Sequence, residues 1–534
     1  MDENAIIPLM KKYDAIIIGG GHNGLVAAAY LGKAGKRVLV LEKRHLVGGA
    51  SVTEEIYPGF KYSVFSYVVS ILRPEIIRDL NLTKHGLTIL PLESTLTPLP
   101  DGDCLYRDGD HFHTMRNIAR FSPRDAEAYD EYGRDMFFMA KAVKYMLGVT
   151  PPDPTRMSPK ELSGLAGVGK HILGLREEHF YTLVKLMTMS SSDFLDEWFE
   201  TDVLKATLSA SGVIGTYLGP KSPGTAYVLL HHYMGEIDGV FRAWGFQKGG
   251  TGGVADAIAG AAQEFGVEIK TDAPVEQVIV KNGEAVGVAL QNGDEIYADV
   301  VASSVDPKLT FLKLVDPKQL PEEMVQSIEN FNIRGSSAKV NLALDALPDL
   351  SCMPGPGPHL AGAISISPSI DYIERAYDDA KYGDFSRRPY MDVIIPSMID
   401  PGMAPPGKHV MSCFVQYAPY KLREGTWEEK REAFGDVVVN TLAEYIPNLK
   451  DIILHRQVVT PWDIEQKIGL TQGNIFQGEL TLSQLFFLRP AHGLAQYKTP
   501  IRNYFQCGSG VHPGGGITGA PGRLAALEIL KSLK

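Results

Sequence analysis

Apolar and polar positions along the first fifty residues predict a strand, a helix and a second strand. The apolar run at residues 15–18 has the length and composition of a buried parallel strand. Residues 25–31 are rich in helix formers, and Gly35 supplies a stop signal behind them. A second apolar run, at residues 38–41, ends in Glu42. This order begins a βαβ unit and predicts a parallel sheet.

A helical pattern dominates residues 123–218. Apolar side chains recur there at spacings of three and four, in one stripe around Met136 and another around Leu183. We predict that both stripes are buried core, because methionine and aromatic stripes of this period usually pack inside. The adaptable methionine side chains would also suit a flexible apolar substrate, and this second interpretation stays open.

Short alternating runs between residues 267 and 304 predict a β-meander and a returning strand. The meander strands are predicted at residues 267–271, 275–280, 285–290 and 295–298. Asn282-Gly283 and Asn292-Gly293 are strong signals for the hairpin turns between them. Residues 299–304 then predict a buried strand of the parallel sheet. A β-meander inserted in this way is typical of flavoproteins.

A glycine-rich turn separates the first strand from its helix. Gly19, Gly21 and Gly24 have the G-x-G-x-x-G spacing of a dinucleotide-binding turn. The first glycine forms the tight turn, the second lets the backbone approach a pyrophosphate, and the third lets helix and strand pack closely. Free N–H groups at the helix start favour the phosphates, and Glu42 is placed to accept hydrogen bonds from a ribose 2′-hydroxyl. A carboxylate there would repel a 2′-phosphate, so the turn predicts FAD or NAD rather than NADP.

A second glycine-rich stretch lies near the C-terminus. Gly514, Gly516 and Gly519 repeat the same spacing after a short predicted strand, and a final helix follows them. The sequence ends at Lys534, so we expect no second strand with its own acidic residue. This stretch is therefore expected to serve a ligand that the first turn already holds. A long cofactor that uses two helix N-termini, one at its pyrophosphate and one near a flavin ring, is FAD.

The predicted fold class is α/β, with a Rossmann-type FAD-binding domain (a parallel sheet with a β-meander) interleaved with an α+β substrate domain. A chain of 534 residues is too long for one simple core, which agrees with two domains. The FAD-binding domain is expected in three parts, at residues 1–115, 225–310 and 491–534. A helical substrate or cap region is expected at residues 116–224, and the main substrate domain at residues 311–490.

Composition and charge exclude several partners. The formal net charge of −11 argues against a nucleic-acid partner and against broad binding to anionic lipid, although a local peripheral membrane contact stays open. The four cysteines are far apart and form no C-x-x-C, so neither a metal site nor a redox dithiol is predicted. The first 12 residues lack an apolar run long enough for a secretory signal. We therefore expect a cytoplasmic protein, with or without peripheral membrane association.

Longer motifs are distributed over nearly the whole chain. They are IIIGGGHNGLVAAAYL, LEKRHLVGGAS, VVASSVDP, TPWDIEQKIGLTQGNIFQGEL, QLFFLRP and GSGVHPGGGITGAPGRLAA. With these motifs the sequence resembles the phytoene desaturase and amine oxidase superfamily of FAD enzymes, and within it the phytoene dehydrogenase-related group. The predicted cofactor-binding residues are Gly19, Gly21, His22, Asn23, Gly24, Glu42, Lys43, Arg44, Gly48, Gly49, Ala50, Ser51, Val275, Ser303, Gly510, Gly516, Ile517, Thr518 and Gly519.

The resemblance also implies roles within this set. Arg44 and residues 48–51 would line a loop beside the phosphates and the flavin. The backbone of Val275 would contact the adenine. Gly510 and residues 518–519 would approach the flavin ring.

Residues that carry out chemistry are less evident in the sequence. His512 lies inside the C-terminal glycine-rich loop and is the predicted catalytic residue, with a structural hydrogen bond as the alternative. His231, His232, Tyr233 and Arg489 are weaker candidates. The sequence contains no Ser-His-Asp spacing, P-loop or metal cluster that predicts another chemistry.

The predicted function is that of an FAD-dependent oxidoreductase of dehydrogenase or desaturase type, which removes hydride from an apolar isoprenoid or lipid-like substrate through flavin N5. Oxygen, a quinone or another acceptor would reoxidise the flavin. The alternatives are an amine or amino-acid oxidase of the same superfamily, a flavin-dependent isomerase and a non-catalytic flavin-binding interaction protein. The sequence leaves open the substrate, the acceptor and the oligomeric state, a homodimer included.

Overall fold

A computed structural model describes residues 13–156, 158–237 and 239–533. The first 12 residues, for which we predict no secretory signal, lie outside the described residues. The strands are β1 (Tyr13–Ile18), β2 (Val38–Leu41), β3 (Thr53–Tyr57), β4 (Phe60–Ser63), β5 (Ile89–Pro91), β6 (Ser94–Pro98), β7 (Cys104–Asp108), β8 (Glu236–Ile237), β9 (Val240–Phe241), β10 (Gly245–Gln247), β11 (Glu268–Lys270), β12 (Val275–Lys281), β13 (Glu284–Leu290), β14 (Glu295–Ser303), β15 (Ser337–Leu344), β16 (Ala363–Ile366), β17 (Tyr390–Ile394), β18 (His409–Gln416), β19 (Ile453–Val459) and β20 (Tyr504–Gln506). The helices are α1 (His22–Lys33), α2 (Pro74–Asp79), α3 (His111–Ala119), α4 (Pro123–Leu147), α5 (Pro159–Leu173), α6 (Glu177–Thr188), α7 (Ser191–Asp196), α8 (Asp202–Ser209), α9 (Thr225–Tyr233), α10 (Gly252–Glu264), α11 (Pro307–Leu312), α12 (Glu322–Glu329), α13 (Ile370–Lys381), α14 (Pro396–Ile399), α15 (Trp427–Ala443), α16 (Leu449–Ile452), α17 (Pro461–Ile468) and α18 (Ala520–Ser532).

A parallel sheet of order β11-β2-β1-β14-β20 carries the first glycine-rich turn at the end of β1. Ile16 in β1 lies between Leu39 of β2 and Val301 of β14, and all three side chains are fully buried. Helices α1, α10 and α18 pack on one face of this sheet, while the meander and helices α11 and α12 pack on the other. Because both faces are covered, these strands are continuous apolar runs rather than alternating ones.

The meander differs from its prediction at two points. The first predicted strand, at residues 267–271, forms β11, which pairs parallel with β2 at the edge of the parallel sheet and lies outside the meander. The predicted strands 295–298 and 299–304 form the single strand β14. Its first residues pair antiparallel with β13, and the rest pair parallel with β1 and β20. The change from polar to apolar residues inside β14 therefore marks a change of neighbours and no break in the backbone. Asn282 and Gly283 have φ values of +51° and +71°, as the predicted tight hairpin requires.

A second sheet has the order β19-β15-β18-β17-β16-β6-β7, and helix α15 covers one of its faces. All its neighbouring strands are antiparallel except β16 and β6. Strands β6 and β7 lie inside residues 1–115, so the first predicted FAD-binding segment contributes strands to both sheets. The limits of the five predicted segments stay a prediction. The α/β class, with a parallel sheet and a meander interleaved with a second α+β layer, is confirmed.

Helices α4 to α8 form the predicted helical region beside the second sheet, and α9, which follows the predicted end of this region, packs with them. Met136, Met139 and Val143 of α4 are at most 1% exposed, which confirms their interpretation as core. The second stripe is only partly buried, since Leu186 is buried but Val184 is 46% exposed. Across the described ranges, no helix combines the length and the apolar character needed to cross a membrane.

Candidate functional site

The first glycine-rich turn joins β1 to the N-terminus of α1. Gly19 has a φ of +92°, which side-chain-bearing residues rarely adopt. A Cβ on Gly24 would lie 2.3 Å from the carbonyl oxygen of Gly19, so only glycine lets the helix approach the strand here. A Cβ on Gly21, in contrast, would meet no atom within 4 Å. The turn therefore leaves open space at its middle glycine, in front of the free N–H groups of α1.

Glu42 is buried just beyond the end of β2, beside this turn. Its Oε2 accepts a hydrogen bond from the backbone N–H of Gly20 at 2.7 Å, and its Oε1 accepts one from that of Arg44 at 2.9 Å. An ionised carboxylate has about four lone-pair sites, so two are left for ribose hydroxyls. The predicted ribose-binding role of Glu42 fits this geometry.

Lys43 and Arg44, which follow Glu42, differ in their surroundings. Burial lowers the pKa of Lys43, and the adjacent Glu42 carboxylate opposes this effect. Arg44 forms an ion pair with Glu54 at 3.0 Å. The Nη1 of Arg44 is buried and has no hydrogen-bond partner among the described residues. Arg44 therefore keeps one donor for a ligand oxygen beside the turn.

The loop at residues 48–51 returns to the same turn, as the sequence predicts. The backbone N–H of Gly48 donates to the carbonyl of Gly20 at 2.8 Å. A Cβ on Gly49, whose φ is +60°, would lie 3.3 Å from the Cα of Gly21. The carbonyl of Ala50 accepts a hydrogen bond from the hydroxyl of Ser66 at 3.0 Å. The hydroxyl of the buried Ser51 has no partner among the described residues.

The C-terminal stretch packs directly on the first turn. His22 at the start of α1 lies with its Nε2 3.2 Å from the carbonyl oxygen of Gly516. Asn23 donates from Nδ2 to the hydroxyl of Ser509 at 2.9 Å. A Cβ on Gly522 in α18 would lie 2.1 Å from the carbonyl oxygen of Asn23. The N-terminal turns of α1 and α18 are therefore in contact, and their positive dipole ends lie close together.

The residues before α18 form its cap and the adjoining wall. Thr518 accepts a hydrogen bond on its Oγ1 from the backbone N–H of Ala520 at 3.2 Å. Gly519, with a φ of +69°, is the cap residue itself. Ile517 packs partly buried against the core of the parallel sheet. Gly510 lies further back and donates its N–H to Oε1 of Gln477 at 3.0 Å.

Two more predicted cofactor residues lie at strand ends of the parallel sheet and the meander. Val275 begins β12, and the backbone N–H of Ala273 just before it donates to the carbonyl of Glu42 at 2.9 Å. Ser303 ends β14, but its hydroxyl is turned inward to Thr310 at 2.8 Å. The hydroxyl of Ser304 instead donates to the carbonyl of Gly19 at 2.8 Å. Sequence reasoning missed Ser304, because two adjacent serines at a strand end give no sign of which one faces the turn.

The predicted catalytic residue His512 is completely buried in the C-terminal loop. Burial lowers its pKa to about 3, with a further contribution from the Arg489 guanidinium, so the imidazole is neutral at physiological pH. Burial likewise lowers the pKa of His231 to about 3 and that of His232 to about 4. The catalytic role of His512 stays a prediction, and its neutral ring suits a structural role as well.

The assembled residues fit a dinucleotide. Open space lies beside Gly21, and two helix N-termini converge on the same region. The buried oxygens of Ser51 and Asn23, Oγ and Oδ1 respectively, have no hydrogen-bond partner among the described residues. Unsatisfied buried polar atoms are costly in a folded protein, so their presence here indicates a polar ligand. The free lone pairs of Glu42 are available for the predicted contact with a ribose.

A cavity of about 820 Å³ lies between the second sheet and the helical region. Small-molecule sites typically have volumes of about 300–1,000 Å³. Tyr67 and Val68 line this cavity and follow directly on Ser66, whose hydroxyl is bound to Ala50. A few residues later, Cδ1 of Ile71 lies 2.3 Å from where a Cβ on Gly516 would stand. The cavity wall therefore runs between the two loops predicted to contact the flavin.

A buried lysine behind this wall was missed by sequence reasoning. Lys339 lies in β15, and its Nζ is 5.3 Å from the centre of the Tyr67 ring and is hydrogen-bonded to Ser412. Burial lowers the pKa of Lys339 to about 7. The hydroxyl of Tyr67 donates to Asp392 at 3.3 Å, and burial raises the pKa of that carboxyl. The available signal was a lysine near the start of a segment, Ser337–Leu344, that contains no other charged residue and that the structure buries completely as β15.

A parallel sheet with two converging glycine-rich helix starts, a buried carboxylate at the end of the second strand and an adjoining cavity is the arrangement of a dinucleotide-binding flavoprotein. Comparison with known families agrees, since the family of flavin containing amine oxidoreductases matches residues 24–530. The chain belongs to this family. It is an FAD-dependent oxidoreductase.

Relatives of known sequence cover nearly the whole chain. Pyridine nucleotide-disulfide oxidoreductase domain-containing protein 2 of Rattus norvegicus is 40% identical over 98% of this chain and 94% of its own length. A limonene dehydrogenase subunit of Castellaniella defragrans is 26% identical over 98% of this chain and 95% of its own length. Prolycopene isomerase of Daucus carota is 27% identical over 86% of this chain and 71% of its own length. The predicted resemblance to the phytoene desaturase and amine oxidase superfamily is confirmed.

Solved structures share the fold at low identity. An oxidoreductase from Methanosarcina mazei superposes with a TM-score of 0.61 at 18% identity, over 97% of this chain and 99% of that one. Putrescine oxidase bound to putrescine superposes with a TM-score of 0.59 at 18% identity, over 97% and 99% of the two chains. At this identity the likeness concerns the fold.

Proposed function

We propose that this chain is a dehydrogenase that removes hydride from a carbon atom of an isoprenoid or lipid-like substrate held in the 820 Å³ cavity. The observation that carries the proposal is the course of residues 66–71. This segment touches Ala50 at one end and Gly516 at the other, and it forms the cavity wall in between. A substrate in the cavity would therefore border the region predicted for the flavin ring.

When bound, FAD supplies the hydride-accepting centre. The chain itself supplies the cavity that holds the substrate and the groups that would accept the proton that the substrate loses. Lys339 lies directly behind Tyr67, and with a pKa of about 7 part of its population is neutral at physiological pH. A neutral amine is a base, but Lys339 does not itself line the cavity, so a proton lost by the substrate would first pass to a group that does. Tyr67 and Asp392, which are hydrogen-bonded to each other, line the cavity where this proton would leave.

The names of two relatives, a limonene dehydrogenase subunit and a prolycopene isomerase, support a substrate built from isoprene units. An amine or amino-acid oxidase is the alternative from sequence. Primary amines are protonated near neutral pH, and two arginines of the cavity wall, Arg107 and Arg242, would repel them. This charge favours the dehydrogenase over the oxidase of simple amines.

The test uses the purified chain reconstituted with FAD, mixed anaerobically with terpene hydrocarbons, long-chain acids and primary amines. The proposal predicts that compounds of at least one of the first two classes bleach the visible flavin absorbance. Mass spectrometry should then find a product lighter by two hydrogen atoms. Bleaching by amines alone, with release of ammonia, would support the oxidase instead, and a product of unchanged mass would indicate isomerisation.

The electron acceptor is part of the same proposal. We expect oxygen or a quinone to restore the flavin absorbance after anaerobic bleaching. The two acceptors are separated by adding air-saturated buffer or an anaerobic short-chain quinone in parallel samples and comparing the rates of recovery.

A further inference from the structure

Three side chains from three distant segments form a cationic cluster in the cavity wall. Arg107 comes from β7, Tyr129 from α4, and Arg242 follows β9. The phenol oxygen of Tyr129 accepts a hydrogen bond from Nη1 of Arg242 at 2.9 Å and another from Nη1 of Arg107 at 3.2 Å. All three residues line the 820 Å³ cavity. One phenol oxygen thus holds two guanidinium groups together at the surface of the cavity.

The cluster has an excess of positive charge. Within residues 13–156, 158–237 and 239–533, neither Arg107 nor Arg242 has a carboxylate within ion-pair distance. Arg334 elsewhere in the chain shows the ordinary arrangement, because Glu479 binds it at 2.7 Å. The Nε of Arg107 is buried and unpartnered among the described residues. Even if Tyr129 ionised, the described residues would leave one positive charge of the pair without an ion-pair partner.

Three carboxyl groups line the same cavity; two of them are engaged with other side chains, and the third is exposed to solvent. Asp392 is hydrogen-bonded to Tyr390 at 2.7 Å, and burial raises its pKa. Asp108 lies 2.6 Å from the His113 ring. Glu93 is exposed at the rim. None of these carboxyl groups neutralises the arginine pair directly.

The pKa of Tyr129 indicates a positive electrostatic potential between the two arginines. Burial by itself would raise the pKa of its phenol. The guanidinium groups of Arg242 and Arg107 overcome this effect and lower the pKa to about 7. The pKa of this phenol, ordinarily near 10, is thus lowered to near neutral pH, as expected at a position where the surroundings favour an anion.

We infer that the arginine pair Arg107 and Arg242 binds an anionic head group of the substrate, a carboxylate or a phosphate, while the rest of the substrate extends along the cavity. This inference rests on the proposed function, because it takes this cavity as the substrate site. Planar guanidinium groups bind both kinds of anion through paired hydrogen bonds. Trp244 and Phe241 in the adjoining wall offer apolar surface to the body of the molecule. The substrate class is therefore an amphiphilic acid rather than a pure hydrocarbon.

The test measures equilibrium binding of four probes with the same ten-carbon chain to the FAD-loaded protein by titration calorimetry. The probes are decanoate, decyl phosphate, decanol and decylamine. We expect both anions to bind more tightly than decanol by about 10-fold or more, since hydrogen bonds to charged groups contribute about 1.5–3 kcal/mol. The tighter of the two anions identifies the head group as carboxylate or phosphate.

Two variants and a control connect binding to the cluster. Arg242→Gln should weaken decanoate binding about 10-fold or more and change decanol binding by less than about 2-fold. Arg134→Gln is the matched control, because Arg134 is exposed on the same helix as Tyr129 and lies outside the cavity. Arg242→Glu should reverse the preference, so that decylamine binds more tightly than decanoate. FAD content and melting temperature show whether each variant is folded.

The outcomes separate this inference from the proposed function. If neither decanoate nor decyl phosphate binds more tightly than decanol, or if Arg134→Gln and Arg242→Gln lose equal affinity for the tighter anion, the inference is overturned even if the enzyme dehydrogenates a substrate. Decanoate binding that depends on Arg242, without turnover of any tested compound, would support the anion site and count against the proposed chemistry only. A preference of the unmodified protein for decylamine would overturn both.

Discussion

The middle glycine of the first turn offers a perturbation that separates cofactor binding from folding. Gly21 has a φ of −68° and a ψ of 162°, which any residue can adopt. A Cβ at this position would meet no atom of the protein within 4 Å. Gly21→Ala should therefore leave the fold of the apoprotein intact. The same methyl group would project into the space that we assign to the FAD pyrophosphate.

The expected magnitudes follow from these two observations. Alanine is a poorer helix cap than glycine, so the apoprotein should lose no more than about 1 kcal/mol of unfolding free energy. Overfilling a packed site typically costs about 1–3 kcal/mol, which corresponds to about a 5- to 150-fold loss of FAD affinity. Gly24→Ala, in contrast, should lower the stability of the apoprotein itself. Its Cβ would lie 2.3 Å from the carbonyl oxygen of Gly19, so the fold itself should be destabilised.

The assay is a titration of each apoprotein with FAD, followed by flavin fluorescence, together with urea unfolding of the apoproteins. Gly133→Ala in α4 is the matched control, because its added methyl group also meets no atom within 4 Å and lies far along the chain from both turns. That variant should bind FAD normally and gain up to about 1 kcal/mol of stability. If Gly21→Ala takes up FAD with the affinity of the unmodified chain, the pyrophosphate does not lie at this turn.

Three further predictions concern single buried charges. Glu42→Gln should lower FAD affinity about 10-fold, because a charged acceptor for the ribose is lost, and equal affinities in the fluorescence titration would argue against that contact. Burial lowers the pKa of Lys339 from 10.5 to about 7. Between these values the folded chain binds fewer protons than the unfolded chain, so its free energy of unfolding should rise by up to about 1.4 kcal/mol per pH unit. Urea unfolding at pH 7, 8 and 9 should show this added slope in the unmodified chain and lose it in Lys339→Met; equal slopes would contradict the lowered pKa. Arg489 is fully buried and donates to five backbone carbonyl groups, those of residues 476, 478, 479, 484 and 509. Arg489→Lys has too few donors to replace these bonds and should cost about 3 kcal/mol or more in urea unfolding, whereas a loss below about 1 kcal/mol would mean that the cluster contributes little.

Local sequence patterns predict those parts of the fold that are stabilised by neighbours close in sequence. The β1–α1–β2 unit and the hairpin at Asn282 and Gly283 are correct because each depends on a turn chemistry that only a few residues satisfy. Strand β14 was divided in two because its neighbours change along its length, and pairing partners are not visible in the strand itself. The place of β6 and β7 in the second sheet is not visible locally for the same reason, since β16, the partner of β6, lies more than 250 residues later.

In the candidate site, too, some residues are predictable from a local motif and others are brought together only by the tertiary fold. The glycines of the first turn and Glu42 follow from a motif whose spacing has a physical reason, and the structure brings them together. The cluster of Arg107, Tyr129 and Arg242 has no such signal, because each residue alone is an ordinary polar position and only the tertiary fold joins them. The net charge of the chain does not indicate the cluster either, because it is −11, while the two arginines in the cavity wall have no ion-pair partner among the described residues.

The central claim is that the glycine-rich turns at both ends of the chain hold one FAD molecule between them. Titration calorimetry of the apoprotein with FAD tests it most directly. One binding site per chain is predicted, and that site should be weakened both by Gly21→Ala in the first turn and by Gly519→Ala before α18. No uptake of FAD, two independent sites per chain, or a site that responds to only one of the two substitutions would contradict it.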